Sequence, residues 1–275
     1  MGDPLNSNEP SKSRQRRYVT FRSYAPVSDP IDLNVDDSRA IACVAQIQQD
    51  LGCELPLVGK RFVVILESLF VAEEQKAYAR VLRSLGGLVD FASKLWGNKE
   101  MRITSHVEGN WNQLNAAHTI ALTKDIAKDV IPQLARYSAI IFSANYTMKR
   151  LSWLAEISTA KDSEELREAR QNSDLGLLVD AAMRNERLVK AFNCHAIWAL
   201  MTQPEHAQGI TMAFNGVMAP EADALRIEVA PNPDGQDIHL HTHVDGKVVS
   251  SAAGVNGGTE ALLRSLVRTI LASER

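Results

Sequence analysis

Leu188–Leu200 reads LVKAFNCHAIWAL. An apolar run of strand length enters Cys194-His195 and continues into an apolar run of helical character, with no loop residue between. A buried strand that passes into a helix within two residues makes a tight elbow, and a small residue there, Ala196, relieves the crowding. Such an elbow lifts the Cys194 side chain over the carboxyl edge of a sheet, where open α/β sheets bind ligands. It also sets the sulfur at a helix start, where free N–H groups and the helix dipole favour thiolate over thiol and can hold an oxyanion. On this reading Cys194 is the most reactive of the three cysteines. The competing reading is an inert core residue, because free cysteine is among the most buried residue types.

Working outward, the same strand–helix rhythm recurs. Phe62–Leu66 (FVVIL) and Ala139–Ser143 (AIIFS) are continuous apolar runs of strand length, as in strands buried on both faces. Ala72–Leu85 reads as a helix ended by Gly86-Gly87, and Leu88–Ala92 as the next strand. That is the unit of a parallel sheet. Ser93–His118 is read as irregular, Trp153–Arg170 mainly as helix, and Leu175–Arg184 as helix. Farther on, Leu225–Val229 and Ile238–Val244 are read as strands. Asp245-Gly246 is a hairpin turn leading into Lys247-Val248-Val249, and Thr259–Ala272 an amphipathic helix. Ahead of this domain, residues 1 to about 35 read as a loose arm. A helix follows, capped at Asp36, Asp37 or Ser38 and carrying Ile41, Val44 and Ile47 before Gly52. The expected architecture is a mostly parallel sheet flanked by helices (residues 60–275), preceded by an N-terminal arm and helical extension (1–59).

Several blocks together resemble the ThiJ/PfpI family of the class I glutamine amidotransferase-like superfamily, which contains glyoxalase III-type enzymes, deglycase-like proteins and isonitrile hydratases. The elbow is Phe192-Asn193-Cys194-His195-Ala196, against Cys-His-Gly-Pro in the family. An acidic residue, Glu74, stands twelve positions before Gly86. Val244-Asp245-Gly246-Lys247-Val248-Val249-Ser250 matches the last strands before the C-terminal helix, and Tyr137–Asn145 (YSAIIFSAN) the strand that ends in Gly-Gly. The resemblance implies a flavodoxin-like fold and a cysteine nucleophile, Cys194, with Glu74 as its carboxyl partner and His195 as base. Ala144, Asn145 and Ala196 are implied as the substrate- and oxyanion-binding positions. It further implies a homodimer, a small electrophilic substrate and no cofactor. Hydrolysis, hydration or a glyoxalase-like rearrangement through a covalent thio-adduct is then the expected chemistry. A redox-sensing or chaperone-like protein, or a pathway-specific binding protein, are the alternatives. Ala144-Asn145 replaces Gly-Gly, Ala196-Ile197 replaces Gly-Pro, and Lys149 stands where protease-like members carry a Glu. That last change argues against a Cys-His-Glu protease.

Composition sets outer limits. The chain has 275 residues, 45% of them apolar and 23% charged, with a formal net charge of -3. That is a globular composition without the basic balance of a nucleic-acid binder. The one basic cluster, Lys12–Arg17 (KSRQRR), is short and reads as a solvated terminus. No apolar run reaches the roughly 20 residues of a membrane span, and no secretory signal is recognisable. A cytoplasmic location is the expectation. Cys43, Cys53 and Cys194 form no CxxC pair, so neither a disulfide framework nor a cysteine zinc site is expected. His239, His241 and His243 (HLHTH) would share one face if their segment were a continuous strand, a patch suited to a metal or simply an exposed strand face. Trp96, Trp111, Tyr146 and Trp198 read as pocket or core aromatics.

Overall fold

The computed structural model describes residues 38–107, 110–145 and 147–274. The loose arm, Lys12–Arg17, Gly109, Tyr146 and the Trp111 side chain lie outside the described residues. In chain order the elements begin with α1 (Ser38–Leu51), β1 (Arg61–Ile65), α2 (Ala72–Ser84) and β2 (Leu88–Ser93). Next come β3 (Met101–Val107), β4 (Asn110–Leu122), β5 (Lys124–Asp125) and β6 (Ala139–Phe142), then α3 (Ala155–Thr159), α4 (Ser163–Gln171) and α5 (Asp174–Arg184). The last part holds β7 (Val189–Asn193), α6 (Ile197–Leu200), β8 (Thr211–Met212), α7 (Ala219–Leu225), β9 (Glu228–Val229), β10 (Thr242–Asp245), β11 (Val248–Ser251) and α8 (Gly258–Ala272).

The central sheet has seven strands in the order β10-β11-β7-β6-β1-β2-β5. All neighbours run parallel except the β10–β11 hairpin. The apolar runs explain this. Phe62–Ile65, Ala139–Phe142 and Val189–Asn193 are buried on both faces, which only a sheet covered by helices on each side allows. One face packs Val63, Ile65, Ile140 and Phe142 against α5, α6 and α7, and Phe142 stacks on Phe192 with ring centroids 4.9 Å apart. The other packs Phe62, Val64, Ile141 and Val249 against α2 and α8. Helix α1 joins this second layer through Ala40, Cys43 and Ile47, whose spacing of three and four puts them on one helical face. Gly86 ends α2 with φ +91°, a conformation a glycine adopts without steric cost.

Three expectations are corrected and one is refined. Ser93–His118 is not irregular: β3 and β4 form an antiparallel hairpin with two register shifts, and Thr104 meets Thr119 across it at 3.0 Å. The shifts break the two-residue alternation that marks a strand in sequence. Trp153–Arg170 is mainly helix, as expected, but in two pieces, because the Asp162 side chain accepts from the backbone N–H groups of Glu164 and Glu165 and starts α4 afresh. Leu225 closes helix α7, Arg226 is left-handed at φ 54°, and the strand keeps only Glu228–Val229. Ile238–Leu240 is a one-turn 3-10 helix, so β10 starts at Thr242.

Candidate functional site

Strand β7 ends at Asn193, which is fully buried. Its amide donates to Tyr78 Oη at 2.8 Å and Thr259 Oγ1 at 3.0 Å. With Asn193 held, the chain reverses on the next residue. Cys194 takes φ +49° and opens a 3-10 turn, Cys194–Ala196, that runs into α6. A left-handed backbone on a residue with a Cβ costs roughly 1–2 kcal/mol, and such strain gathers at functional sites. Ala196 is buried inside the elbow, where a larger side chain would meet the core.

The Cys194 sulfur faces His195 Nδ1 at 3.2 Å and Asn215 Nδ2 at 3.9 Å. His195 is half-buried and meets Trp198 edge-on, with ring centroids 4.9 Å apart. Trp198 in turn donates Nε1–H to Glu221 at 3.1 Å and carries the Lys149 ammonium 4.3 Å above its ring. Burial and Lys149 lower the His195 pKa against an opposing pull from Glu221, so the ring stays neutral and can accept a proton.

The expected thiolate preference does not hold. Cys194 is only 8% exposed, and its pKa is pushed up to about 12, first by burial and then by the charge of Glu74. The backbone N–H groups of His195 and Gly254 oppose that rise without overcoming it. The helix after the elbow is only four residues long, so its dipole is weak. Among the cysteines, Cys53 is exposed, while Cys43 is buried with its pKa raised to about 11.

Glu74 is wholly buried on α2, and its hydrogen bonds run beneath the elbow and not to the sulfur. Oε2 accepts from Ser143 Oγ at 2.8 Å, Ala144 N at 3.0 Å and Tyr78 Oη at 3.0 Å, while Oε1 has no partner among the described residues. Burial raises its pKa to about 8 against the pull of those donors. At neutral pH it therefore carries a proton, and Oε1 is the oxygen free to hold it. In that form its charge no longer bears on Cys194. A Cβ at Gly254 would overlap this carboxyl, which accounts for a glycine there.

Of the three positions expected to hold an oxyanion, Ala196 is buried in the elbow, and Ala144 and Asn145 make bonds of their own. The Ala144 N–H goes to Glu74. The Asn145 amide donates to the Glu67 carbonyl, and its Oδ1 accepts from Thr147 N at 2.8 Å. The histidine run does not gather: His239 lies in the 3-10 turn, while His241 is buried with Nε2 3.3 Å from the Ala230 carbonyl. A cavity of about 140 Å³ lies between α1, α2 and the 254–260 segment, lined by Arg39, Glu73, Lys76 and Thr259, with Cys194 outside its lining. Sequence reasoning missed Tyr78, Ser143, Asn193 and Asn215. Only Tyr78 left a signal, standing four residues after Glu74 on one helical face.

No protein-family model matches the chain, and no curated protein matches it in sequence. Solved structures do match. DJ-1beta of Drosophila melanogaster superposes with TM-score 0.52 at 14% identity, over 78% of this chain and 96% of that one. An isoprenoid biosynthesis protein with an amidotransferase-like domain from Ehrlichia chaffeensis gives 0.51 at 10%, over 78% and 100%. A two-domain protein of Anabaena variabilis with dj-1/thij/pfpi-like and ferritin-like domains gives 0.53 at 11%, over 78% of this chain and 48% of that one. The fold is thus that of the DJ-1/ThiJ/PfpI structures, in agreement with the resemblance carried by the elbow and the last strands.

Proposed function

We propose that this protein is a cysteine-dependent enzyme acting on a small electrophile through a covalent adduct of Cys194. The observation that carries the reading is the strained elbow, with Cys194 at φ +49° and its sulfur 3.2 Å from Nδ1 of a neutral imidazole. A thiol whose pKa is raised cannot rely on pre-ionisation. A base in contact with it serves instead. The Cys194 Sγ–H proton passes to His195 Nδ1 as the sulfur bonds to the electrophilic carbon. With a carbonyl substrate the π electrons move onto oxygen, which takes back the proton held by His195; with an isonitrile that proton goes to the carbon that the sulfur has bonded. Glu74 enters as a neutral acid that braces the Ser143-Ala144 end of β6 beside the elbow. Hydrolysis, hydration and glyoxalase-like rearrangement all begin with this adduct.

The test is a panel of small electrophiles, including methylglyoxal and isonitriles, run on wild type, Cys194→Ala and His195→Gln. Turnover abolished in the first variant and reduced about 100-fold in the second supports the reading. Turnover by Cys194→Ala equal to wild type, or a wild type silent on the whole panel, counts against it.

A further inference from the structure

We infer that the Asn215 side-chain amide is a further residue of this site, an N–H donor held in place to stabilise the Cys194 sulfur as it becomes an anion. The inference rests on the reading of Cys194 as nucleophile. Asn215 stands between β8 and α7, remote in sequence from the elbow, and both ends of its amide are anchored. Oδ1 accepts from Val217 N at 3.0 Å, capping the one-turn helix Gly216–Met218. Nδ2 donates to the Ala252 carbonyl at 3.2 Å. These two bonds also fix which end is nitrogen, since the Val217 N–H needs an acceptor and the Ala252 carbonyl a donor.

Neither anchor is loose. Ala213, two residues before Asn215, donates its N–H to Ser250 Oγ at 2.9 Å, and Ala252 donates its own to the His241 carbonyl at 3.0 Å. The amide nitrogen has two hydrogens. One is used on Ala252, and the nitrogen lies 3.9 Å from the Cys194 sulfur, at the outer reach of a sulfur contact. A neutral thiol attracts such a donor weakly, whereas a sulfur anion attracts it more strongly. The amide thus gains most when the proton has left for His195, so it favours the reacting form over the resting one. It cannot ionise and adds no charge. The charged and titratable groups around the pair are Glu74 from α2, which acts on the sulfur only in its ionised form, with Lys149 before α3 and Glu221 in α7, which act on His195.

The test is the second-order rate of Cys194 alkylation by iodoacetamide at pH 8, followed by peptide mass, in a Cys53→Ser background that removes the exposed thiol. Loss of a donor to a charged group corresponds to about one pKa unit, so Asn215→Ala should slow alkylation about tenfold. Asn215→Asp keeps the cap on Val217 but presents an acceptor to the sulfur, and should slow it further. A purely structural role moves the rate the other way, because loosening this corner exposes a buried thiol. Rates equal to or above wild type in Asn215→Asp overturn the inference, whatever Asn215→Ala does. No turnover enters this measurement, so its failure is distinct from failure of the electrophile panel.

Discussion

The backbone N–H of Ala144 is donated to Oε2 of Glu74 at 3.0 Å. One carboxyl oxygen thereby ties helix α2 to the end of β6 and accepts from Ser143 and Tyr78 as well, leaving Oε1 without a partner among the described residues in a buried site. An ionised carboxylate with a bare oxygen in such a place is costly, and a protonated one much less so.

That arrangement sets a pH dependence. The folded Glu74 has a pKa of about 8, against 4.5 in the unfolded chain. Between those values the folded state keeps a proton that unfolding releases, so the stability contributed by the neutral acid is complete below about 4.5 and declines as pH rises towards 8. Glu74→Gln copies the neutral form and removes the decline. Denaturant midpoints of the two proteins at pH 5 and pH 8 should show the variant gaining a few kcal/mol on wild type at the higher pH. An unchanged difference between the two pH values would show that Glu74 is ionised in the folded protein.

Gly254 is the other side of the same contact. Its Cα lies against the Glu74 carboxyl and the Ala144 side chain, with no room for a methyl group. Gly254→Ala must displace one of them, at a cost of about 1–3 kcal/mol. Chemical denaturation measures the loss. A neutral result would mean that the carboxyl moves aside without penalty.

Cysteine labelling should follow exposure and not the elbow's dipole. Cys53 is exposed, Cys43 and Cys194 are buried, and both buried thiols have raised pKa values. In the folded protein, iodoacetamide at neutral pH should modify Cys53 first. Cys194 should follow more slowly, with a rate still climbing above pH 9. Peptide mapping over a pH series distinguishes this from a preformed thiolate, whose rate would level off below pH 7.

A homodimer is the proposed assembly, and sedimentation of the full chain tests it. A monomer at micromolar concentration would remove the proposal. Steady cleavage of casein, lost in Cys194→Ala, is not expected. Lys149 is exposed and held over Trp198, and an ammonium has no lone pair with which to accept an imidazole N–H.

The parallel sheet and the cysteine elbow were legible from the amino-acid sequence alone. Both are written in short-range patterns: unbroken apolar runs at Phe62 and Ala139, a run from Leu188 interrupted only by Lys190, Gly86-Gly87 at a helix end, and Cys194 at a junction without a loop. The β3–β4 hairpin was not legible, because its register shifts erase the alternation that would announce it. Nor was the histidine run, where a single 3-10 turn removes the strand geometry that would have aligned three imidazoles. What surrounds the sulfur belonged to the tertiary structure. Glu74 meets Ser143 across 69 residues of chain and Asn193 meets Tyr78 across 115. Asn215 reaches Cys194 only because β8, which pairs with β9 outside the central sheet, packs beside β11, the parallel neighbour of β7. Periodicity reports which face of a helix or strand is apolar. Which donor a carboxyl or a sulfur finds depends on strand order and register between distant segments, and therefore so do the protonation of Glu74 and the buried, neutral state of the Cys194 thiol.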